Sequence, residues 1–383
     1  MKVINKAVAE QAPPSPVNVA AIVWLGSLGL LILGIQPVVL EPLVRFGRLD
    51  EASLGTMATT EILAIAIGSV LGARLLRPLT ARAVALGALL PFAVANLAMH
   101  WLTGPVPLIA ARALSGLSGG MLVGMAVVAI ARGQKPERLS AAFLVAQTLI
   151  QLGLAAIIPR VAQYLFAVDV GFVGLGVLGL ASIPIVLLLP HVLEPPRPRS
   201  HESTSVHAAA WLALAGCSAY LVGVVAVWAY FGVWEHQVGL SEQAIGTAAA
   251  LSLGAQVLGA AAAGGLAQWL PNRSSLLITA LLQAAVVLGM LHWHQPGAQV
   301  ALALAFGFLW LFALPLQTRL LIDVDPTRQV VLHLAAAQLA GSAAGPSLAG
   351  LFVASGRVDG ALWTGVVVLV VSALMMGLGP RRR

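Results

Sequence analysis

The chain has 383 residues, of which 59% are hydrophobic and only 9% charged, with a mean hydropathy of +0.94. A water-soluble surface draws about a quarter of its residues from Asp, Glu, Lys and Arg, so a soluble fold is excluded. The balance is basic, 21 Lys and Arg against 14 Asp and Glu, but these cations sit in short breaks between apolar runs. They read as membrane-orientation signals rather than as a nucleic-acid surface.

In chain order, residues 1–18 form a polar tail with Lys2, Lys6, Glu10 and the cluster Pro13-Pro14-Ser15-Pro16. No apolar run follows Lys2 directly, so a cleavable signal is not expected and the first apolar run serves as an uncleaved anchor. Six apolar runs follow at 19–40, 52–71, 84–101, 106–130, 141–158 and 168–189. Most have the length of ~20 residues that a membrane-crossing helix needs. Residues 191–207 are proline-rich and polar, the composition of a semi-extended linker. Six more runs occupy 208–229, 244–267, 275–292, 298–316, 330–354 and 361–378. They are apolar all round, whereas the strands of a membrane barrel alternate. The expected fold is therefore an all-α integral membrane protein. Its twelve transmembrane helices form two pseudo-symmetric six-helix bundles, 19–190 and 208–383, joined by a cytoplasmic linker at 191–207.

With the amino terminus inside, sixteen Lys and Arg fall in inside segments and four (Arg45, Arg48, Arg160, Arg357) in outside ones. That asymmetry predicts both termini in the cytoplasm. The halves also repeat. Leu49-Asp-Glu-Ala-Ser-Leu-Gly-Thr56 aligns with Leu240-Ser-Glu-Gln-Ala-Ile-Gly-Thr247 at an offset of 191 residues (246 − 55). The same offset pairs Gly68 with Gly259, Arg82 with Arg273, and Gln147 with Gln338. Parallel repeats of six spans are a transporter architecture.

Three local motifs extend this. The loop after the second span carries Gly72, Arg77 and Arg82. The fourth span reads Arg112-Ala-Leu-Ser-Gly116-Leu-Ser-Gly-Gly120, with Gly124 one turn on. Glycines four apart make a smooth helix face for close packing. The eleventh span reads Gly341-Ser-Ala-Ala-Gly345-Pro346-Ser-Leu-Ala-Gly350. With the six-plus-six layout, these resemble the major facilitator superfamily over essentially the whole chain, in the style of its drug and metabolite exporters. Gly72, Arg77 and Arg82 stand where that family's loop signature has its glycine and basic residues, with Leu76 and Leu79 replacing its Asp and second Gly. The segment from Arg112 to Gly120 resembles the family's RxxxGxxxG signature. The eleventh-span segment is similar to an exporter signature usually found in the fifth span, which here keeps only Gly153 and Pro159. The resemblance implies a central hollow lined by spans 1, 4, 7 and 10, with two halves that rock about it.

Ionisable groups inside a span are functional candidates, because hydrocarbon penalises them unless they face protein or water. Arg112 and Glu61 are the foremost, for proton or substrate coupling, and the resemblance makes their spans neighbours. Glu41 and Glu235 close spans 1 and 7, as coupling groups or solvated rim charges. Gln36, Gln147 and Gln338 offer amides to cargo or to neighbouring helices. Trp24 and Trp228 offer rings for stacking on an apolar cargo. His292 and His294 read as interfacial, and Cys217, the single cysteine, as a small core thiol. No phosphate loop, dinucleotide fingerprint or metal-ligand cluster is present, so no cofactor or metal is expected and the chain is not read as an enzyme. The expected function is proton-coupled efflux of a small molecule by a monomer in the inner (plasma) membrane. Proton-coupled uptake, or a polytopic protein that transports nothing, are the alternatives.

Overall fold

The computed structural model describes residues 16–132, 136–165, 169–190, 208–266, 269, 271–325, 327, 329–353 and 357–378. The expected tail up to residue 15, the linker 191–207, Lys135, Arg328 and Arg381 to Arg383 lie outside them. The first half comprises α1 (Pro16–Leu28), α2 (Leu31–Arg45), α3 (Glu51–Leu75), α4 (Ala81–Ala98), α5 (Pro105–Arg132), α6 (Pro136–Leu165) and α7 (Val170–Ala181). The second comprises α8 (Ala208–Gln237), α9 (Glu242–Leu266), α10 (Asn272–His292), α11 (Pro296–Val324), α12 (Leu334–Gly350) and α13 (Asp359–Gly377).

Among the described residues, ten segments are by themselves long and apolar enough to cross a membrane, with α1 and α2 counting as one. The two remaining crossings are shorter helices completed by tighter 3₁₀ turns. Ile183–Leu188 follows α7, at Pro184, and Val330–His333 precedes α12. The chain is thus an all-helical fold of twelve crossings in two bundles. Several helices outrun the apolar runs of the sequence. α11, for example, continues to Val324 through Gln317, Arg319 and Asp323, because backbone bonding does not stop where hydropathy does. The face on which α1 begins and α13 ends is called the near face below, and the opposite one the far face.

Local chemistry sets the helix starts. Asp50 caps α3 by accepting from the Ser53 amide at 2.7 Å, and Thr80 caps α4 by accepting from the Ala83 amide at 3.2 Å. Ser241, 191 residues beyond Asp50, accepts from the Ala244 amide at 3.3 Å at the start of α9. Such caps satisfy amides that have no partner within the helix.

Glycine decides which helices press together. Any side chain at Gly116, Gly120 or Gly124 of α5 would run into the carbonyls of Glu61, Ile65 and Ser69 on α3. In return, Gly68 and Gly72 of α3 sit against the carbonyls of Leu117 and Met121. The second half repeats this at the fixed offset, Gly307 lying on the Ser252 carbonyl and Gly259 on that of Phe308. The same offset governs contact between the halves. Gly55 of α3 meets the Pro346 carbonyl of α12, and Gly246 of α9 meets the Ala155 carbonyl of α6.

Each half is also tied around its near-face rim. Arg82 donates to the carbonyls of Leu187 (2.8 Å) and Leu189 (3.3 Å), and Arg273 donates to that of Gly377. These arginines bind the third crossing of each half to the end of its sixth, an unpaired stretch of carbonyls that needs donors.

Candidate functional site

The charged cluster of the first half grows directly from the α3–α5 glycine contact. With Gly116 on the Glu61 carbonyl, Arg112 one turn earlier on α5 faces the Glu61 side chain. The guanidinium grips that carboxylate with two groups, Nε to Oε2 at 3.1 Å and Nη2 to Oε1. Its Nη1 donates to Asn96 Oδ1 at 2.8 Å. Asn96 in turn donates to Ser115 Oγ (2.9 Å) and to the Phe92 carbonyl (2.8 Å). The Phe172 ring of α7 lies 4.8 Å from the Arg112 guanidinium carbon. All four polar residues are buried, Arg112 completely. The cluster therefore knits α3, α4, α5 and α7 inside one bundle. At offset 191 the second half has Ser252, Val287 and Ala303 in place of Glu61, Asn96 and Arg112: the charge belongs to one half only.

A second polar group lies where the halves meet at the far face. Pro37 has no amide hydrogen, so the Leu33 carbonyl four residues earlier loses its helical donor. Trp228 of α8 fills that role across the interface, its indole N–H reaching Leu33 O at 2.9 Å. Gly232 lies against the Pro37 carbonyl and the Glu41 side chain. Tyr230 donates to the Glu51 carbonyl at 3.0 Å. Arg45 pairs with Glu242 and, at 3.4 Å, with Glu41, while His236 Nδ1 lies 3.5 Å from Glu41. Gln243 donates to Gln163 at 2.6 Å. Beside them, the Thr59 hydroxyl accepts from the Ser347 amide (3.0 Å) and donates to the Ala343 carbonyl (2.6 Å). It is thereby inserted into the backbone ladder of α12.

Within this seal Glu41 is 3% exposed and Glu235 not at all. Neither Glu235 carboxylate oxygen, and neither end of the Gln36 amide, has a hydrogen-bond partner among the described residues. A cavity of about 20 Å³, room for a water molecule or so, lies beside Glu41 between Pro159, Gly171 and Glu242.

The remaining sequence candidates fall into distinct environments. Trp228 is buried in an aromatic cluster with Phe231 (5.5 Å between centroids), Trp310 (5.8 Å) and Phe306 (6.3 Å). Trp24 donates to Ser182 at 2.8 Å, on the flank between α1 and the turn after α7. Gln338 donates to Gln317 Oε1 at 2.8 Å, and among the described residues neither Gln317 Nε2 nor, at the symmetric place, Gln147 Oε1 has a hydrogen-bond partner. Gly341 and Gly345 lie on the Ser218 and Val222 carbonyls of α8, while Pro346 and Gly350 face α3 of the other half. Gly72 packs on α5, Arg77 is exposed in the following turn, and Arg82 forms the near-face tie.

Sequence reasoning gave Gln151 as a helix-bridging amide and His236 as a rim group, and it missed Asn96, His100 and Asp169. Gln151 donates to the Leu30 carbonyl at 2.8 Å, at the break between α1 and α2. His236 was visible only as a neighbour of Glu235. Asn96 and the His100–Asp169 pair at 2.6 Å carried no spacing signal. Among the described residues no group of three or more His, Cys, Asp and Glu is placed to hold a metal ion.

The Major Facilitator Superfamily model matches residues 18–332. No curated protein matches the sequence. Among solved structures, a bacterial homologue of the human lysosomal transporter Spinster, inward-facing and occupied, is similar at TM-score 0.67 and 16% identity, over 94% of this chain and 95% of that one. A mutant of the nucleoside transporter NupG is similar at TM-score 0.77 and 12% identity, over 94% and 98%. A D-xylose-proton symporter is similar at TM-score 0.71 and 14% identity, over 95% and 98%. These likenesses concern the fold. With the family model spanning most of the chain, the protein belongs to the Major Facilitator Superfamily and is a multi-pass membrane transporter.

Proposed function

We propose that the protein exports a small, partly apolar molecule in exchange for protons, by alternating access, across a cytoplasmic membrane with the near face inside. The observation that carries this is where the ties between the halves lie. Among the described residues, Trp228–Leu33, Tyr230–Glu51, Arg45–Glu242 and Thr59–Ser347 tie the halves toward the far face, which supports parting toward the near face, where the cargo enters. The inward-facing Spinster homologue shares this fold, and sixteen of the 21 Lys and Arg fall on segments that this orientation puts inside. The moving units are 19–190 and 208–383, with 191–207 between them. One chain contains both, so a monomer suffices.

Glu235 is the proposed proton carrier, with Glu41 as its neighbour in the seal. An enclosed carboxylate with neither cation nor donor is costly, and a proton from the far side relieves that cost when the seal opens. Glu61, locked to Arg112, supplies the packing against which the first half moves. Gln147 and the Gln317–Gln338 pair supply amides for an uncharged cargo. Uptake is the second reading, since a proton-coupled sugar symporter shares the fold and α6 keeps only Gly153 and Pro159 of the exporter signature at its own position.

The test is a proteoliposome assay with a pH-sensitive dye inside and neutral amphiphiles as the solutes. Glu235→Gln is expected to abolish gradient-driven accumulation while sparing solute exchange. Accumulation that survives in this variant removes Glu235 from the coupling step, and solute moving with the protons makes the protein an importer.

A further inference from the structure

The two halves diverge at one corner of the far face. In the first half Arg48, in the loop after α2, donates to the carbonyls of Met99 and Leu102 (2.5 Å to the latter) at the end of α4. The offset of 191 carries those carbonyls to Met290 and Trp293 and carries Arg48 to Gly239. There Gln299, buried in α11, serves the same two carbonyls from inside, at 2.8 and 3.0 Å. Gly239 has a φ of 95° and nothing within 4 Å of where a Cβ would stand. An arginine has been traded for a glycine, and the space beside it is open. The preceding residue, Val238, borders a cavity of about 640 Å³ that is also lined by Trp234, His292, His294, Arg357, Asp359 and Trp363. Gln237 fixes one wall by accepting from the Val358 amide at 3.2 Å.

The chemistry of that lining is mixed but balanced. Arg357 grips Asp359 through Nε (3.3 Å) and Nη2 (2.9 Å), and its second amino group has no hydrogen-bond partner among the described residues. His292 directs Nδ1 at the Leu288 carbonyl and His294 directs Nε2 at the Leu291 carbonyl. A carbonyl can only accept, so these nitrogens carry hydrogens, and in the neutral imidazole form the opposite ring nitrogens are acceptors. Trp234 meets the His294 ring edge to face at 5.8 Å, and its buried N–H has no acceptor among the described residues. The cavity thus offers one cationic donor, one carboxylate, two imidazole acceptors and two indole rings, with no net charge. A ligand of single sign would leave one partner opposed. An ammonium suits the carboxylate, the imidazoles and the indole faces, and an oxyanion suits the second amino group of the guanidinium. The place fits too. Trp293 and Trp363, both exposed, stand at these helix ends, where tryptophans mark the level of lipid headgroups.

We propose that this cavity binds an ammonium–phosphate zwitterion, at a site separate from the route between the halves. Two sources supply that chemistry, a phosphatidylethanolamine of the surrounding leaflet and a free solute of the same headgroup. Full-length protein is placed in nanodiscs of phosphatidylglycerol with a small fraction of phosphatidylethanolamine, and retained lipid is read by native mass spectrometry. Glycerophosphoethanolamine is titrated in parallel into discs of phosphatidylglycerol alone and followed by tryptophan fluorescence. Selective retention of phosphatidylethanolamine, reduced roughly tenfold in Arg357→Gln, supports the site with the lipid as ligand. Saturable quenching by the soluble headgroup, lost in the same variant, supports it with the free solute as ligand. Trp363→Leu, on an exposed side chain, repeats both readings should Arg357→Gln unfold. No selectivity and no quenching, or values unchanged in a folded variant, overturns the proposal.

Discussion

At the residue scale, Arg112 and Glu61 are both an asset and a liability. Paired, they satisfy one another; with one removed, the other is left charged in a dry interior. Arg112→Ala is therefore expected to destabilise the protein by about 3–5 kcal/mol, seen as a lower Tm in detergent. Arg112→Met combined with Glu61→Gln is expected to recover most of that loss. A single variant as stable as wild type would show that water reaches the pair. Asp50 makes a smaller and pH-dependent contribution. Hydrogen bonds from the Ser53 hydroxyl, and then from its amide, hold the Asp50 carboxyl below its ordinary value. Its cap is thus fully present above the usual carboxylate range and is lost as pH falls through the lowered value. Asp50→Ala is expected to cost about 1 kcal/mol near neutral pH, with the difference from wild type shrinking in acid, checked by melts across a pH series. Arg112 and Glu61 were legible because ions in a long apolar run demand explanation. Asn96, their third partner, was not, because a lone amide in such a run has many possible neighbours and no period.

At the element scale, what the sequence carried best was glycine spacing and proline position. The run Gly116, Gly120, Gly124 announced a flat face, and the partner it meets is the carbonyl row of α3. Pro37 orphans the Leu33 carbonyl, but nothing in the sequence pattern pointed to Trp228, 191 residues later, as the donor that serves it. The break at Leu30 and the shortness of α7 and α12 were not legible, because apolar runs look alike whether the backbone is α-helical or 3₁₀. The far-face contact depends on Gly232, where any side chain meets the Pro37 carbonyl and Glu41. Gly232→Leu is expected to hold the halves apart there. The check places a cysteine at Thr59 in a Cys217→Ser background and applies a membrane-impermeant maleimide from the far side. Labelling should be slow with Gly232 present and at least several-fold faster with Leu; equal rates would show that the contact does not close the path.

At the scale of the whole molecule, the repeat is the most legible feature and the most physical. α3 and α9 start and stop at positions related by one offset, and so do the caps that begin them, the glycines that dock them and the arginines that tie each rim. Duplication therefore preserved contacts as well as a pattern. Cysteines at Arg82 and Arg273 are accordingly expected to react from the same side of the membrane, and opposite accessibility would break the two-bundle arrangement. The positions where the offset fails, Arg112 against Ala303 and Arg48 against Gly239, mark where the halves took on different work. The offset shows these mismatches in the sequence, but the partners of Arg112 and Arg48 are seen only in the folded molecule.

The hydroxyl of Thr59 has a last consequence. It borrows a donor and an acceptor, Ser347 N–H and Ala343 C=O, that lie four residues apart on α12. If the halves withdraw from one another, those two groups can join directly as an ordinary helical bond, and α12 heals behind the departing side chain. Nothing polar is stranded in the exchange, so this fastening can be undone and remade many times without leaving a wound in either partner.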